Sequence, residues 1–309
     1  MRHLFLSQFS EKYKGNYYLN NKPYYQKLVL DQGYWKDSLI TAPSDEAYRD
    51  DIIKAKELGF NGCRKHEKVE DPRFLYWADR LGFLVWEAMA SFWMYSSEGA
   101  ASFMKEWSDV IQRDYNHPSI IVWGMLNESW GVPTIRTDRR QRAFSKALYH
   151  LAHSMDDTRL VISNDGWEMT ETDICAFHAY CHGDKTNKRQ QEEFADALKS
   201  LDGLEEIVEK PLFAEDGVYQ GQPILLTEFG GISISDSAGE WGYTSVNKEE
   251  FIEEFRRIIE AVADSPVICG YCYTQLTDVE QEANGLLTQE HNHKFSPDKI
   301  REIQNIAGR

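Results

Sequence analysis

Two glutamates one hundred residues apart, Glu128 and Glu228, each close an apolar run. Glu128 ends Ile120-Ile121-Val122-Trp123-Gly124-Met125-Leu126-Asn127-Glu128. Glu228 ends Ile224-Leu225-Leu226-Thr227-Glu228 and is followed by Phe229-Gly230-Gly231. Such runs read as strands buried on both faces, as in a parallel sheet. A carboxylate desolvated at the end of a strand is costly unless partnered, so a chain that places two there is expected to hold them over a pocket. Glycoside hydrolysis needs such a pair: one group protonates the leaving oxygen and the other acts at the anomeric carbon. Their surroundings should differ, one apolar and keeping its proton, the other rich in hydrogen bonds and ionised.

The elements that must position them alternate along the chain. Strand-like runs occur at 24–30, 62–66, 83–87, 120–128, 160–163, 174–180, 224–229 and 267–276. Between several of them lie amphipathic helices: Tyr48, Ile52, Ala55 and Leu58 share a face, as do Phe103, Trp107, Val110, Ile111 and Tyr115, and Phe251, Phe255, Ile258, Ile259 and Val262. Asn247 with Glu250 reads as a capping box, and Ser296-Pro297 as a helix start. Eight strands with intervening helices predict an α/β fold, a (β/α)₈ TIM barrel with its site at the carboxyl ends of the strands. Glu128 and Glu228 then end the fourth and seventh strands, which face each other across the mouth. Only 168–173 separates the fifth strand from the sixth, so that crossover helix is expected to be reduced. The expected organisation is a lead over 1–23 and one barrel over 24–309.

Composition narrows the partners. A net charge of −16 disfavours nucleic acid and anionic membranes. No apolar stretch approaches the ~20 residues that cross a bilayer, and Met1-Arg2-His3-Leu4-Phe5-Leu6-Ser7 is too short an apolar start for a secretory signal. Cys63, Cys175, Cys181, Cys269 and Cys272 are odd in number. Cys269-Gly270-Tyr271-Cys272 lies in an apolar run without a second pair, so buried strand thiols and a reducing, cytoplasmic setting are expected. No histidine or carboxylate cluster has clear ligand spacing, so neither metal nor cofactor is expected.

The segment Asn116-His117-Pro118-Ser119 running into Ile120–Glu128 resembles the acid/base signature of glycoside hydrolase family 2, the β-galactosidase and β-glucuronidase family, and Leu226-Thr227-Glu228-Phe229-Gly230-Gly231 resembles its nucleophile motif. Gly59–His66, Asp71–Phe74 and Ala78–Glu87 are similar to its second and third barrel units, and Tyr18–Pro23 to its entry into the first strand. The resemblance implies Glu128 as acid/base, Glu228 as nucleophile, Asn127 on the sugar 2-hydroxyl, and Tyr180 donating to Glu228. Arg64 is expected either to bond Glu228 or to form a barrel-floor ion pair. His66 and His178 are sugar contacts or satisfied core residues; Glu87 is a sugar contact or a buried ion pair. Trp93, Trp130, Trp167 and Trp241 are stacking faces or loop packing.

The resemblance has gaps. Family members usually carry β-sandwich domains ahead of the barrel, so the chain is expected to be a short form, a fragment or part of a split gene. The surface those domains would cover is expected to favour a homo-oligomer or a partner domain. Thr274 stands near the family's eighth-strand tryptophan. Asn284-Gly285-Leu286-Leu287 replaces the Asn-x-Lys element that reads a glucuronate carboxylate. The expected function is a retaining exo-β-glycosidase of terminal neutral β-glycosides, β-galactosides first. The alternatives are an incomplete barrel that binds sugar or a partner without turnover, and an endo-β-mannanase-like retaining hydrolase.

Overall fold

The computed structural model describes residues 16–234 and 239–308. Most of the lead, including the residues weighed as a secretory signal, lies outside them.

A short hairpin, β1 (Tyr18–Leu19) and β2 (Lys22–Pro23), precedes the barrel. The chain then runs β3 (Gln26–Asp31), α1 (Asp45–Glu57), β4 (Gly62–Lys65), α2 (Pro72–Leu81), β5 (Leu84–Ala88), α3 (Ser97–Asp114), β6 (Ile120–Gly124), α4 (Arg139–Met155), β7 (Leu160–Ile162) and β8 (Cys175–His178). It continues through α5 (Lys188–Ala197), α6 (Leu201–Ile207), β9 (Ile224–Glu228), the ribbon β10 (Ile232–Ile234) and β11 (Thr244–Val246), α7 (Phe251–Ala263), β12 (Ile268–Tyr273) and α8 (Pro297–Gln304). Eight parallel strands pair in the order β7-β6-β5-β4-β3-β12-β9-β8, with β6 and β9 as the fourth and seventh in chain order. This is the expected TIM barrel.

The helices follow from their ends and stripes. Ser44 and Ser96 accept hydrogen bonds from amides in the first turns of α1 and α3, while Asp71 caps α2 ahead of Pro72. Phe251, Phe255, Ile258, Ile259 and Val262 of α7 are fully buried, the face an amphipathic period requires. Two details depart from the sequence reading. The Asn247–Glu250 segment is a turn whose Glu250 amide donates to the Asn247 carbonyl, and α7 begins after it. Tyr115 caps the end of α3 and is exposed beneath the Arg159 guanidinium rather than on the core stripe.

No helix lies between β7 and β8, the reduced crossover expected from 168–173. The strands on either side do not pair directly; Asp173 spans the seam. Its amide donates to the Val161 carbonyl (3.0 Å) and its carboxylate accepts the Val161 amide (2.8 Å). Tyr149 and His153 of α4 bond the same carboxylate at 2.7 and 2.8 Å. The barrel interior is packed with side chains, and the indole of Trp86, in register with Arg64 on the neighbouring strand, donates to Gln26 (2.8 Å). Cys63, Cys175 and Cys272 are buried strand thiols, Cys269 is half-buried in β12, and Cys181 lies beyond β8; all five are free. Among the described residues no helix is long and apolar enough to cross a membrane.

Candidate active site

Past the regular strands, the carboxyl ends are tied together in pairs. The Glu128 amide donates to the Asp165 carbonyl and the Asp165 amide to the Leu126 carbonyl, each at 2.8 Å, which extends the β6–β7 pairing to the first glutamate. The Ala179 amide bonds the Glu228 carbonyl (2.9 Å), and Gly231 bonds Thr274 (2.8 Å), so β8, β9 and β12 are joined at the same level. A register shift between Phe177 and His178 sits at this rim, where bulges commonly re-aim a side chain.

Glu128 and Ser129 both have positive φ, 51° and 62°. This region costs a residue with a side chain of order 1–3 kcal/mol unless its surroundings enforce it. Asn164 accepts the Ser129 amide (3.0 Å) and Ser129 Oγ donates to Glu168 (2.6 Å), fixing the turn that presents Glu128.

The two glutamates come together at the carboxyl ends of the strands. Glu128, His178 and Glu228 each bring one polar atom within 4.8 Å of the others. Glu228 Oε1 accepts from Arg64 Nη1 and Oε2 accepts from the Tyr180 hydroxyl, both at 2.8 Å. Arg64 also bonds Asn127 Oδ1 (2.6 Å) and pairs with Asp165 (2.6 Å), so it serves both the seventh-strand carboxylate and a barrel-floor ion pair. His178 Nδ1 bonds Glu128 Oε1 at 2.8 Å, while its Nε2 is 3.3 Å from Asp165 and 3.6 Å from Glu228. His66 lies 3.7 Å from Glu228 and is partly exposed toward the mouth.

Burial alone would raise the Glu228 carboxyl pKa, but His178, Arg64, His66 and the Tyr180 hydroxyl outweigh it and hold it below its ordinary value. Burial opposes charge on His178 too; the charges of Glu228 and Asp165 and the bonds to Asp165 and Glu128 prevail, lifting its pKa to about 10. The three-residue group has spacing a divalent cation could accept. In this arrangement a guanidinium holds Glu228 Oε1 and Glu128 Oε1 engages His178 Nδ1, so a cation would have to displace both contacts.

Glu87 is placed elsewhere. It is fully buried with its carboxylate on the Glu70 amide (3.3 Å), close to Asp114 and Arg113 of α3. Its neighbour Trp86 points into the barrel, and strand alternation turns Glu87 toward the helical layer. Burial, with Asp114 adding, pushes its pKa up to about 8. The sugar-contact alternative for Glu87 is therefore corrected.

Trp241 stands half-exposed on the rim and packs edge-on against Tyr243, which stacks on Tyr180 at 3.5 Å. Trp130, Trp167, Tyr180 and Tyr243 line a cavity of about 500 Å³ that opens onto Glu128 and His178. Trp93 stacks on Trp130 at 5.0 Å, and both are exposed beside this cavity. Sequence reasoning missed Asp165 and Tyr243, and noted Thr274 only as a departure from the family pattern. Asp165 comes after the short fifth run as an acid just past a strand end, the same signal that singled out Glu128. Thr274 bonds the Tyr180 hydroxyl (2.9 Å), in the region where the chain departs from the family pattern. Tyr243 lies in an irregular segment with no periodic signal.

Comparison with known proteins agrees with this architecture. Residues 13–306 match the family described as glycosyl hydrolases family 2, TIM barrel domain. The chain is 31% identical over 193 residues to a β-galactosidase of Thermoanaerobacterium thermosulfurigenes, covering 59% of this chain and 22% of that protein. It is 22% identical over 316 residues to a β-glucuronidase of Streptococcus agalactiae, covering 91% and 48%. Among solved structures, Bifidobacterium dentium β-glucuronidase complexed with coumarin-3-O-glucuronide superposes with a TM-score of 0.77 at 19% identity, over 99% of this chain and 49% of that one. That likeness speaks to the fold. The chain thus spans less than half the length of these curated relatives. Because the family match runs across nearly all of its residues, the chain belongs to glycosyl hydrolase family 2.

Proposed function

We propose that this barrel is a retaining exo-β-glycosidase acting on terminal neutral β-glycosides, with β-galactosides first, through a covalent glycosyl-enzyme. The observation that carries the reading is that one oxygen of Glu128 and one of Glu228 lie within 4.8 Å of each other. Retaining pairs, whose carboxyl groups stand ~5–5.5 Å apart, bring their oxygens this close.

Glu228 is the nucleophile. Arg64 and Tyr180 hold one oxygen each and keep it ionised. Glu128 is the acid/base. His178 takes its Oε1, which leaves Oε2 to carry the proton to the glycosidic oxygen. While Glu128 holds that proton, the carboxylates of Glu228 and Asp165 face the cations of Arg64 and His178. Once the proton is delivered, a third carboxylate faces the developing oxocarbenium ion, stabilised by the bond from His178. Asn127, fixed by Arg64, presents its amide nitrogen to the sugar 2-hydroxyl. The cavity beside Glu128, with Trp130 and Trp93 at its edge, receives the leaving group.

The test is intact mass after incubation with 2-deoxy-2-fluoro β-glycosides of galactose, glucose, mannose and glucuronic acid. A glycosyl adduct mapping to Glu228 is expected. A folded protein that takes up none of the four overturns the reading.

A further inference from the structure

Trp93 and Trp130 sit in different loops, the one between β5 and α3 and the one between β6 and α4, yet their rings stack at 5.0 Å and 19°. Neither is covered: Trp93 is 76% exposed and Trp130 45%. Single exposed apolar residues are ordinary, but a joined pair of indoles left in water marks a binding surface. Resting on the glycosidase reading of Glu128 and Glu228, we propose that this pair is a second saccharide subsite on the leaving-group side, so that the substrate is a neutral oligosaccharide of at least three sugars.

The platform is built before any ligand arrives. Gly131, next to Trp130, has a φ of 79°, and a Cβ there would lie 2.7 Å from the Phe92 carbonyl oxygen and 2.9 Å from its ring. Only glycine lets the two loops approach so closely. Phe92 in turn packs on Phe103 of α3 (5.1 Å) and Phe144 of α4 (5.7 Å). Just before it, Ser91 is bound to Glu67 through its amide (3.2 Å) and its hydroxyl (2.7 Å). A surface held in this way loses little entropy when a ligand settles on it.

Trp130 also belongs to the lining of the cavity that opens onto Glu128 and His178, so the platform continues the reacting site. Trp167, in the same lining, packs edge-to-face with the His178 ring at 5.7 Å. Its indole N–H is buried without an acceptor among the described residues. An unpaired buried donor is costly, and the hydroxyls of a sugar bring acceptors that an alkyl or simple aryl leaving group lacks. Lys210 and Glu209 add one charge of each sign to the lining, which suits a neutral ring better than an ion. The cavity therefore takes the first sugar of the leaving group, and Trp130 with Trp93 takes the face of the next.

The test is kcat/KM on di-, tri- and tetrasaccharides of galactose, glucose and mannose in β-1,3, β-1,4 and β-1,6 linkage, read on the sugar that forms the 2-fluoro adduct on Glu228. Wild type should gain about tenfold from disaccharide to trisaccharide, the worth of one aromatic contact, and little more from the tetrasaccharide. Trp93→Ala should cut the trisaccharide about tenfold more than the disaccharide, and Trp93→Tyr should keep most of the wild-type gain. A general loss of structure would lower both substrates alike. A trisaccharide no better than the disaccharide, equal losses on both in Trp93→Ala, or a protein that forms the adduct but cleaves none of these chains overturns the inference. So does a wild type that self-associates through this pair, seen as slower sedimentation in Trp93→Ala with the chain-length ratio intact. A folded protein that cleaves none of them and forms no adduct on Glu228 overturns the glycosidase reading itself.

Discussion

Arg64 Nε lies 2.6 Å from Asp165 Oδ2, with both side chains almost wholly removed from solvent. Asp165 holds the guanidinium that in turn holds Glu228 and Asn127, and its second oxygen receives Thr227 Oγ1 (2.5 Å) beside His178. It orders both halves of the site from behind. Burial works against its ionisation, but Arg64 and His178 keep its pKa far below the ordinary carboxylate range.

Asp165→Asn should therefore be costly in two ways. Removing one partner of a buried ion pair leaves the other charge uncompensated, a loss of about 3–5 kcal/mol in urea unfolding. Loosening Arg64 should lower kcat/KM by about 10²-fold, the usual result of misplacing catalytic groups by an ångström. Unfolding and steady-state kinetics on one preparation check both. A variant with wild-type stability would show that Asp165 is not the counter-ion the geometry makes it.

Glu228→Gln should lower turnover by at least about 10⁴-fold, since a nucleophile has no substitute, while circular dichroism shows the barrel intact. Glu128→Ala should behave differently. Substrates with excellent leaving groups do not need protonation, so 2,4-dinitrophenyl glycosides should be nearly spared in glycosylation while alkyl glycosides lose about 10²–10⁴-fold. Equal losses across leaving groups would remove Glu128 from the acid role.

The barrel and its two glutamates were legible because they rest on local signals. Doubly buried strands give continuous apolar runs, and an acid at the end of such a run stands out. Arg64 and Tyr180 became legible only through the family resemblance, which set both beside Glu228. Asp165 was passed over because β7 is only three residues long, too short a run to draw attention to the residues beyond it. Tyr243 depends on a loop brought to the site by backbone bonds between distant segments, which no period encodes. Glu87 misled because strand-end position does not say which face a side chain takes once the strand ends at Ala88, one residue later.

Asp173 offers a test of the barrel seam away from the chemistry. Asp173→Ala removes the acceptor for the Val161 amide, the Tyr149 hydroxyl and His153, leaving a buried donor unpaired. The expected loss is about 2–4 kcal/mol, seen as a lower urea midpoint. KM should stay near wild type, because the strands on either side keep their pairings to β6 and β9. A stability unchanged by the substitution would mean that the gap between β7 and β8 closes without this side chain.

His178 links stability to pH, and the sign can be worked out. Its pKa rises from an ordinary 6.5 to about 10 on folding, so the folded state binds the proton more tightly than the unfolded chain. The resulting stabilisation is complete below pH 6.5 and is lost as pH rises through about 10. Glu228 runs the other way: with its folded pKa below the ordinary 4.5, it contributes above that value and loses the contribution as pH falls through the lowered one. Other groups titrate in the alkaline range, so the informative quantity is the difference in unfolding free energy between wild type and His178→Gln. That difference should be largest near pH 6 and shrink steadily towards pH 10, as the wild-type imidazolium loses the proton that the glutamine never had. A difference that stays constant across this range would mean that His178 is neutral in the folded protein, and the bond to Glu128 would then have to be assigned to a neutral imidazole.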